Sequence, residues 1–451
     1  MVIYNCEICE KAFKQKGHYN SHMKRKNICK KDNTLKKKHI RFVDFFAGIG
    51  GFRYGINAFQ ELHPEYTFEC IKTVDIKKGA LDTYNLNFNE NNHPTDICTV
   101  GNIPKFELLC AGFPCQPFSS AGKKEGFSDE KRGNLIYEVI RICQESTPEY
   151  LILENVSNIE KLEKGNILKK IINEFENIGY MMQYKTINSK DVGLAQDRER
   201  TFIIGFRSTE RKIIIMPPTK YQTVNDIIDA NDTITNIPTE FLNMLLKRDP
   251  SLLYGMSIKD KRGGKNNIHS WDIEYYGETS QSQRNLLNQI LKERRKKKWA
   301  EIKGIVWMDG MPLTTDEIKT FIDYKELEYD LNYLTNQGYL KVEYPKDLVD
   351  GKREYKDTCE QGYNICKGKL SFPISKILDP SKTSPTLTAT DASKLAIYTG
   401  TTIRRLNKKE LIRLCGFPES ITLPESVDMY DLFGNMVCPP IITEILKSIF
   451  L

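Results

Sequence analysis

Between Ile40 and about Arg207 the chain alternates short apolar runs with longer stretches whose apolar residues recur at helical spacing. The short runs are IRFVDFF (40–46), CIKTVDI (70–76), KFELLCAGF (105–113), YLILENV (150–156) and TFIIGF (201–206), each bounded by Gly, Pro, Asn or Asp. Short apolar runs bounded in this way predict strands, and NILKKIINEFENIG (166–179), with apolar residues at helical spacing, predicts an amphipathic helix. Strands alternating with helices predict an α/β fold: a mostly parallel, doubly wound, Rossmann-like sheet. From 207 to 382 the regularity breaks down; Lys, Asp, Asn and Tyr become frequent, and all three Trp (Trp271, Trp299, Trp307) fall there. This stretch is read as a smaller domain inserted into the first. From 383 to 451 helical order returns, ending in IITEILKSIFL, so the sheet domain is expected to comprise 40–206 and 383–451.

Composition narrows the picture. The 451 residues are 40% hydrophobic and 28% charged, and no apolar run of 18 or more appears, which excludes a membrane-spanning helix. The start, MVIYNCEICEKAF, lacks the layout of a secretory signal, so an intracellular, non-secreted protein is expected. Twelve Cys in this length are too few for a disulfide scaffold and suggest a reducing compartment. The net charge of +7 is concentrated at the start: residues 1–41 hold 12 Lys/Arg against 3 Asp/Glu. Such a basic head suits phosphate contact or, alternatively, is a solubilising tail.

Residues 1–30 form a Cys/His segment, joined by the Lys-rich linker 31–39. Cys6-x2-Cys9, Phe13 and His22 follow the spacing of a ββα zinc finger, with six residues between His22 and Cys29. A structural zinc site made by Cys6, Cys9, His22 and Cys29 is expected, the alternative pair being His18 with His22. So short a segment with so few apolar side chains needs a metal to fold.

The first strand of the main domain runs into Asp44-Phe45-Phe46-Ala47-Gly48-Ile49-Gly50-Gly51-Phe52. Glycines at 48, 50 and 51 allow a tight turn into a helix whose amides approach a ligand. Asp75 and Asp96, read as lying at the ends of the next two strands, are placed to accept from ribose hydroxyls and an exocyclic amine. With no GxxxxGK[ST] phosphate cradle, the site suits an adenosine ligand of the S-adenosylmethionine type. The strand KFELLCAGF leads into Pro114-Cys115-Gln116-Pro117, a stiff loop that holds a cysteine at the same edge. Cys110, Cys143 and Cys415 read instead as buried small hydrophobes. Glu154 ends another strand there, and Arg198 and Arg200, two apart, are expected to share one strand face aimed at a single site.

With these motifs assembled, the chain resembles the DNA cytosine-5 methyltransferases: DFFAGIGGF (44–52), GFPCQPFS (112–119), ENV (154–156), QDRER (196–200) and FGN (433–435) occur in that family's order. The resemblance implies methyl transfer from S-adenosylmethionine to carbon 5 of a flipped-out cytosine in double-stranded DNA. It implies Cys115 as nucleophile and Glu154, Arg198 and Arg200 as its catalytic partners. Phe46, Asp75, Ile76, Asp96, Ile97, Pro114, Leu135 and Asn435 would line the cofactor pocket, beside Gly48, Gly50 and Gly51. One departure is Asp75, where the family usually has Glu. The region 207–382 would be the target-recognition domain, and 116–134 a lid. A single subunit suffices, so a monomer is expected. The alternatives are an RNA cytosine-5 methyltransferase on the same scaffold, or a non-catalytic DNA-binding relative.

Overall fold

The computed structural model describes residues 3–6, 12–24, 37–114, 135–209, 211–232, 234–260, 266–306, 310–366 and 372–451. It divides into two compact units, Met1–Ile187 with Glu199–Met216 and Val437–Leu451, and Asn188–Arg198 with Pro217–Met436.

The first unit begins with a small ββα arrangement. Strands β1 (Tyr4–Asn5) and β2 (Ala12–Phe13) pair antiparallel ahead of helix α1 (Lys16–Met23). The main sheet follows: β3 (Lys38–Phe45), α2 (Gly51–Leu62), β4 (Tyr66–Val74), α3 (Lys78–Phe88), β5 (Leu108–Gly112), α4 (Leu135–Ser146), β6 (Tyr150–Val156), α5 (Asn166–Asn177), β7 (Met181–Asn188), β8 (Glu199–Phe206) and finally α6 (Pro439–Phe450). The strand order is β4-β3-β5-β6-β8-β7; the first four run parallel, and β8 is antiparallel to β6.

Successive strand side chains point to opposite faces, and both faces are covered. Val43, Phe45, Leu109, Ala111, Leu151, Leu153 and Ile203 pack with Ile136, Val139 and Cys143 of α4 and Leu168, Ile171 and Phe175 of α5. On the other face α2 carries Arg53 over the Phe42 ring. There α6 closes on α2 so tightly that a β carbon at Gly55 would stand 2.5 Å from Ile442 Cβ. Thr443 Oγ1 donates to the Gly55 carbonyl (3.0 Å), and Tyr66 Oη donates to the Phe450 carbonyl (2.6 Å). Helices on both faces of a mostly parallel sheet match the expected doubly wound class. Cys110, Cys143 and Cys415 are fully buried, as their apolar surroundings predict.

Two hydrophobic clusters lie among the described residues of the second unit. One gathers Trp271, Leu286, Ile290, Trp299, Leu331 and Leu340; the other gathers Phe241, Leu253, Ile258, Phe372, Ile374, Ile377 and Ile403. The second core supports a five-stranded sheet in the order 267–268, 257–258, 376–377, 395–398, 403–405. Residues 383–436, grouped by sequence with the sheet domain, pack in this unit. Strand Ser384–Pro385 runs parallel to Gln196–Asp197, and Gln196 Nε2 donates to the Leu414 carbonyl (3.0 Å), which ties 188–198 to the later segment. No helix among the described residues is long and apolar enough to cross a membrane.

Candidate active site at the carboxyl edge of the sheet

The parallel register sets the ends of β3, β5 and β6 side by side: Phe45 faces Val74 and Ala111, and Gly112 faces Glu154. Ligands of open α/β sheets bind at this edge. The chain leaves β3 through Phe46, whose φ of +53° is uncommon for a residue with a side chain. Gly48 (φ +55°) and Gly50 (φ +89°) continue the turn in conformations that glycine adopts without strain. The three glycines serve different ends. A β carbon at Gly48 would meet nothing within 4 Å, so this position opens outward. At Gly50 it would stand 2.5 Å from the Phe88 ring, and at Gly51 2.2 Å from the Val437 carbonyl oxygen, so these two allow close packing.

Asp75 braces the turn. Its carboxylate accepts from the Gly48 amide (2.8 Å) and the Lys77 amide (2.7 Å). The next residue, Ile76, is 69% exposed, an apolar side chain outside the core. Asp96 is not at a strand end, contrary to the sequence expectation. It lies in the connection from α3 to β5 and caps the short turn Ile97–Thr99 by accepting from the Cys98 amide (3.0 Å). The Thr95 amide donates to the Asp75 carbonyl (2.8 Å), which still brings this segment to the end of β4. Ile97 is buried in the core, Phe46 and Leu135 pack half-buried at the core's margin, and Pro114 is exposed.

Glu154 lies at the centre of the edge. A β carbon at Gly112 would meet Val437 Cγ2 tightly at 3.3 Å and make ordinary contact, at 3.8 Å, with Glu154 Oε2 and the Phe46 carbonyl oxygen. Arg200 Nε lies 3.1 Å from Glu154 Oε1, with both side chains mostly buried. Burial pulls the Arg200 guanidinium below its usual range, while the charges of Glu154 and Cys438 oppose that shift. Beside it, Asn155 Nδ2 donates to the Phe113 carbonyl (3.0 Å) and fixes the chain just as it leaves β5 toward Cys115. The sequence reading assigned Asn155 no role, although ENV was the signal for it. Cys115 itself lies outside the described residues, as does the 116–134 segment expected to act as a lid.

Arg198 and Arg200 do not share a strand face. Arg198 occupies the break between Gln196–Asp197 and β8, so strict alternation fails there. It is buried and donates to the carbonyls of Leu387 (2.8 Å), Gly434 (3.2 Å) and Met436 (2.7 Å), all within the second unit. Asn435 follows the helix Met429–Gly434, is exposed, and donates to Asp431 Oδ1 (2.8 Å).

At the amino end Cys6 is buried with its Sγ 3.7 Å from Met23 Sδ, and the His22 ring lies 4.9 Å from that of Phe13. Cys9 and Cys29 lie outside the described residues, and among those described no group of three metal-ligating side chains gathers.

Comparison with known proteins supplies the context for this edge. Residues 40–451 match the model of the C-5 cytosine-specific DNA methylases. The type II methyltransferase M.NlaIV of Neisseria lactamica is 41% identical, covering 90% of this chain and 98% of its own length. M.NgoBV of Neisseria gonorrhoeae is 40% identical over the same shares. M.BanI of Aneurinibacillus aneurinilyticus is 35% identical over 91% of this chain and 96% of its own length. With so much of the chain matched, and with Glu154, Gly112 and the 44–52 turn meeting at one sheet edge, this protein belongs to the C-5 cytosine-specific DNA methylase family.

Proposed function

We propose that this DNA (cytosine-5-)methyltransferase works through a covalent bond from Cys115 to carbon 6 of a cytosine extruded from duplex DNA. The observation that carries the reading is the Glu154–Arg200 pair, held beside the strand that runs through Gly112 and Phe113 into Cys115. Carbon 5 of cytosine is a weak nucleophile, and thiolate addition at carbon 6 makes it a strong one. As electrons move into the ring, Glu154 gives its proton to N3, and Arg200 steadies the carboxylate left behind. Once carbon 5 carries the methyl group, loss of its proton breaks the carbon 6–sulfur bond and returns the Cys115 thiolate. The target atom is unreachable in a stacked duplex, so extrusion is required. Arg198, the other arginine of the motif, holds the carbonyls of Leu387, Gly434 and Met436.

S-adenosylmethionine, when bound, supplies the electrophilic methyl group. The donor set suits it. Asp75 and Asp96 offer acceptors for hydroxyl and amine hydrogens, Ile76 offers an apolar face, and the Gly48 amide is taken by Asp75 rather than left for a phosphate. Phe46, Ile97, Pro114 and Leu135 complete the proposed pocket, and 207–382 is proposed to recognise the target. The relatives' names place them in type II methyltransferases, and a restriction–modification role for this chain follows the same reading.

The segment 1–39 precedes the matched family region, and its ββα order with a buried Cys6 fits a structural zinc finger completed by Cys9, His22 and Cys29. Zinc analysis of the full chain against one lacking 1–39 tests it: one zinc per chain lost on deletion is expected, and no difference would remove the site.

Incubation with tritiated S-adenosylmethionine and either duplex DNA or tRNA tests the main reading. Label is expected in DNA, at cytosines then mapped by bisulfite. Label in tRNA alone would give the RNA reading, and cofactor binding without label in either would give a non-catalytic one.

A further inference from the structure

Two sets of basic residues in the second unit differ in how their charge is met. Part of the run 292–298, the most basic-looking stretch by sequence, is met by carboxylates within the fold. Glu293 is buried and lies 2.6 Å from Lys296 Nζ and 4.0 Å from Lys298 Nζ, Lys297 pairs with Glu301, and Arg294 donates to Asn364. Lys298 also rests 4.0 Å from the centroid of the Trp299 ring.

Lys259 and Lys376 are different. In the five-stranded sheet Ser257 stands directly opposite Lys376 in an antiparallel pair, and Lys259 follows Ser257 by two residues on the same face. Opposed side chains in such a pair start about 4.5–5.5 Å apart, and diagonal ones about 7–8 Å apart. The intervening Ile258 and Ile377 point the other way, into the core, whereas Ser257, Lys259 and Lys376 are half-buried. No carboxylate among the described residues is recorded against either lysine. The acid next in sequence, Asp260, is buried and accepts from the Ser270 amide (2.6 Å). Partial burial lowers the Lys376 ammonium from its usual value, and the like charge of Lys259 lowers it further.

We propose that Ser257, Lys259 and Lys376 form a subsite for one phosphate of the DNA backbone. The three side chains offer two cations and a hydroxyl on one face, a set that matches phosphate oxygens and carries no base discrimination. The subsite orients the duplex rather than reading its sequence. It rests on the reading that this chain acts on DNA.

Binding of the full-length protein to a labelled duplex over a salt series tests it, with methyl transfer measured on the same preparations. Each phosphate contact contributes about 0.9 to the slope of log affinity against log salt. Lys376→Ala is expected to lower the slope by about 1. Adding Lys259→Ala should lower it by less than one further unit, because both lysines address one phosphate. Lys376→Arg should keep most of the slope, which separates lost charge from misfolding. The affinity loss should be equal for duplexes of unrelated sequence. An unchanged slope in the double variant, while the wild type binds and methylates DNA, overturns the subsite. Loss of inorganic phosphate binding with an unchanged DNA slope overturns DNA as the ligand. A wild type that neither binds nor methylates DNA overturns the underlying reading, and the subsite with it.

Discussion

Two arginine–glutamate pairs, one in each unit, share the same chemistry and are held very differently. In the second unit Arg404 and Glu410 are fully buried and doubly bonded, at 2.8 Å and 2.7 Å. The remaining capacity is used as well: Arg404 donates to the carbonyls of Asp232 (2.6 Å) and Asp229 (3.0 Å), and Glu410 accepts from the Asp229 and Asn407 amides. This pair clamps the 229–232 turn to the helix Lys408–Cys415 and leaves no room for a ligand. In the first unit Arg200 and Glu154 meet at 3.1 Å, with 14% and 11% of their side chains exposed. Their strands end there, at the ligand-binding edge. A saturated buried pair holds structure, whereas one with some exposure at a sheet edge is available for chemistry.

Removing one partner of each pair breaks the comparison most strongly. Glu410→Ala leaves Arg404 buried and unpaired and should cost about 3–5 kcal/mol in denaturant unfolding. Glu154→Gln should lower methyl transfer by about 10²–10⁴, with unfolding shifted by about 1 kcal/mol or less. If Glu154→Gln instead unfolded the protein as severely as Glu410→Ala, the distinction would fail. Asp75→Asn sharpens the cofactor side of the account. Loss of a charge-assisted hydrogen bond, about 1.5–3 kcal/mol, should weaken S-adenosylmethionine binding by about 10- to 100-fold in titration calorimetry.

A smaller effect concerns Asp44, which is fully buried behind the glycine turn. Burial pushes its carboxyl well above the usual range, with the Arg53 charge opposing and the Asp75 and Glu90 charges adding to the shift. Because the folded state favours the protonated form, Asp44's contribution is fully present below the ordinary carboxylate range. It declines as pH rises from there through the raised value. Asp44→Asn should remove that decline, as measured by thermal unfolding across pH. A variant with the same pH dependence as the wild type would contradict the assignment.

The sheet was legible because its central strands are buried on both faces and therefore read as unbroken apolar runs. Strand β7 was missed because MMQYKTIN lies at an edge and is mostly polar or half-exposed. Asp75, Glu154 and the glycine turn were legible from strand ends alone. Asp96 and Arg198 misled for one reason: each was placed by extending a strand through a residue where the ladder stops. The second unit was opaque because its cores join side chains as distant as Trp271 and Ile365, a long-range packing that no local period reveals. Charge was equally opaque, since Lys296, Lys297 and Lys298 meet Glu293 and Glu301, while among the described residues no carboxylate pairs with Lys259 or Lys376.

The central claim is a bond between Cys115 and carbon 6 of the target cytosine. Fluorine at carbon 5 cannot leave as the proton does, so a duplex carrying 5-fluorocytosine should trap that bond in the presence of S-adenosylmethionine. Peptide mapping by mass spectrometry is expected to find one adduct per chain on the peptide containing Cys115, and none with Cys115→Ser. Normal turnover on unmodified DNA by Cys115→Ser, or an adduct on another residue, would contradict the account.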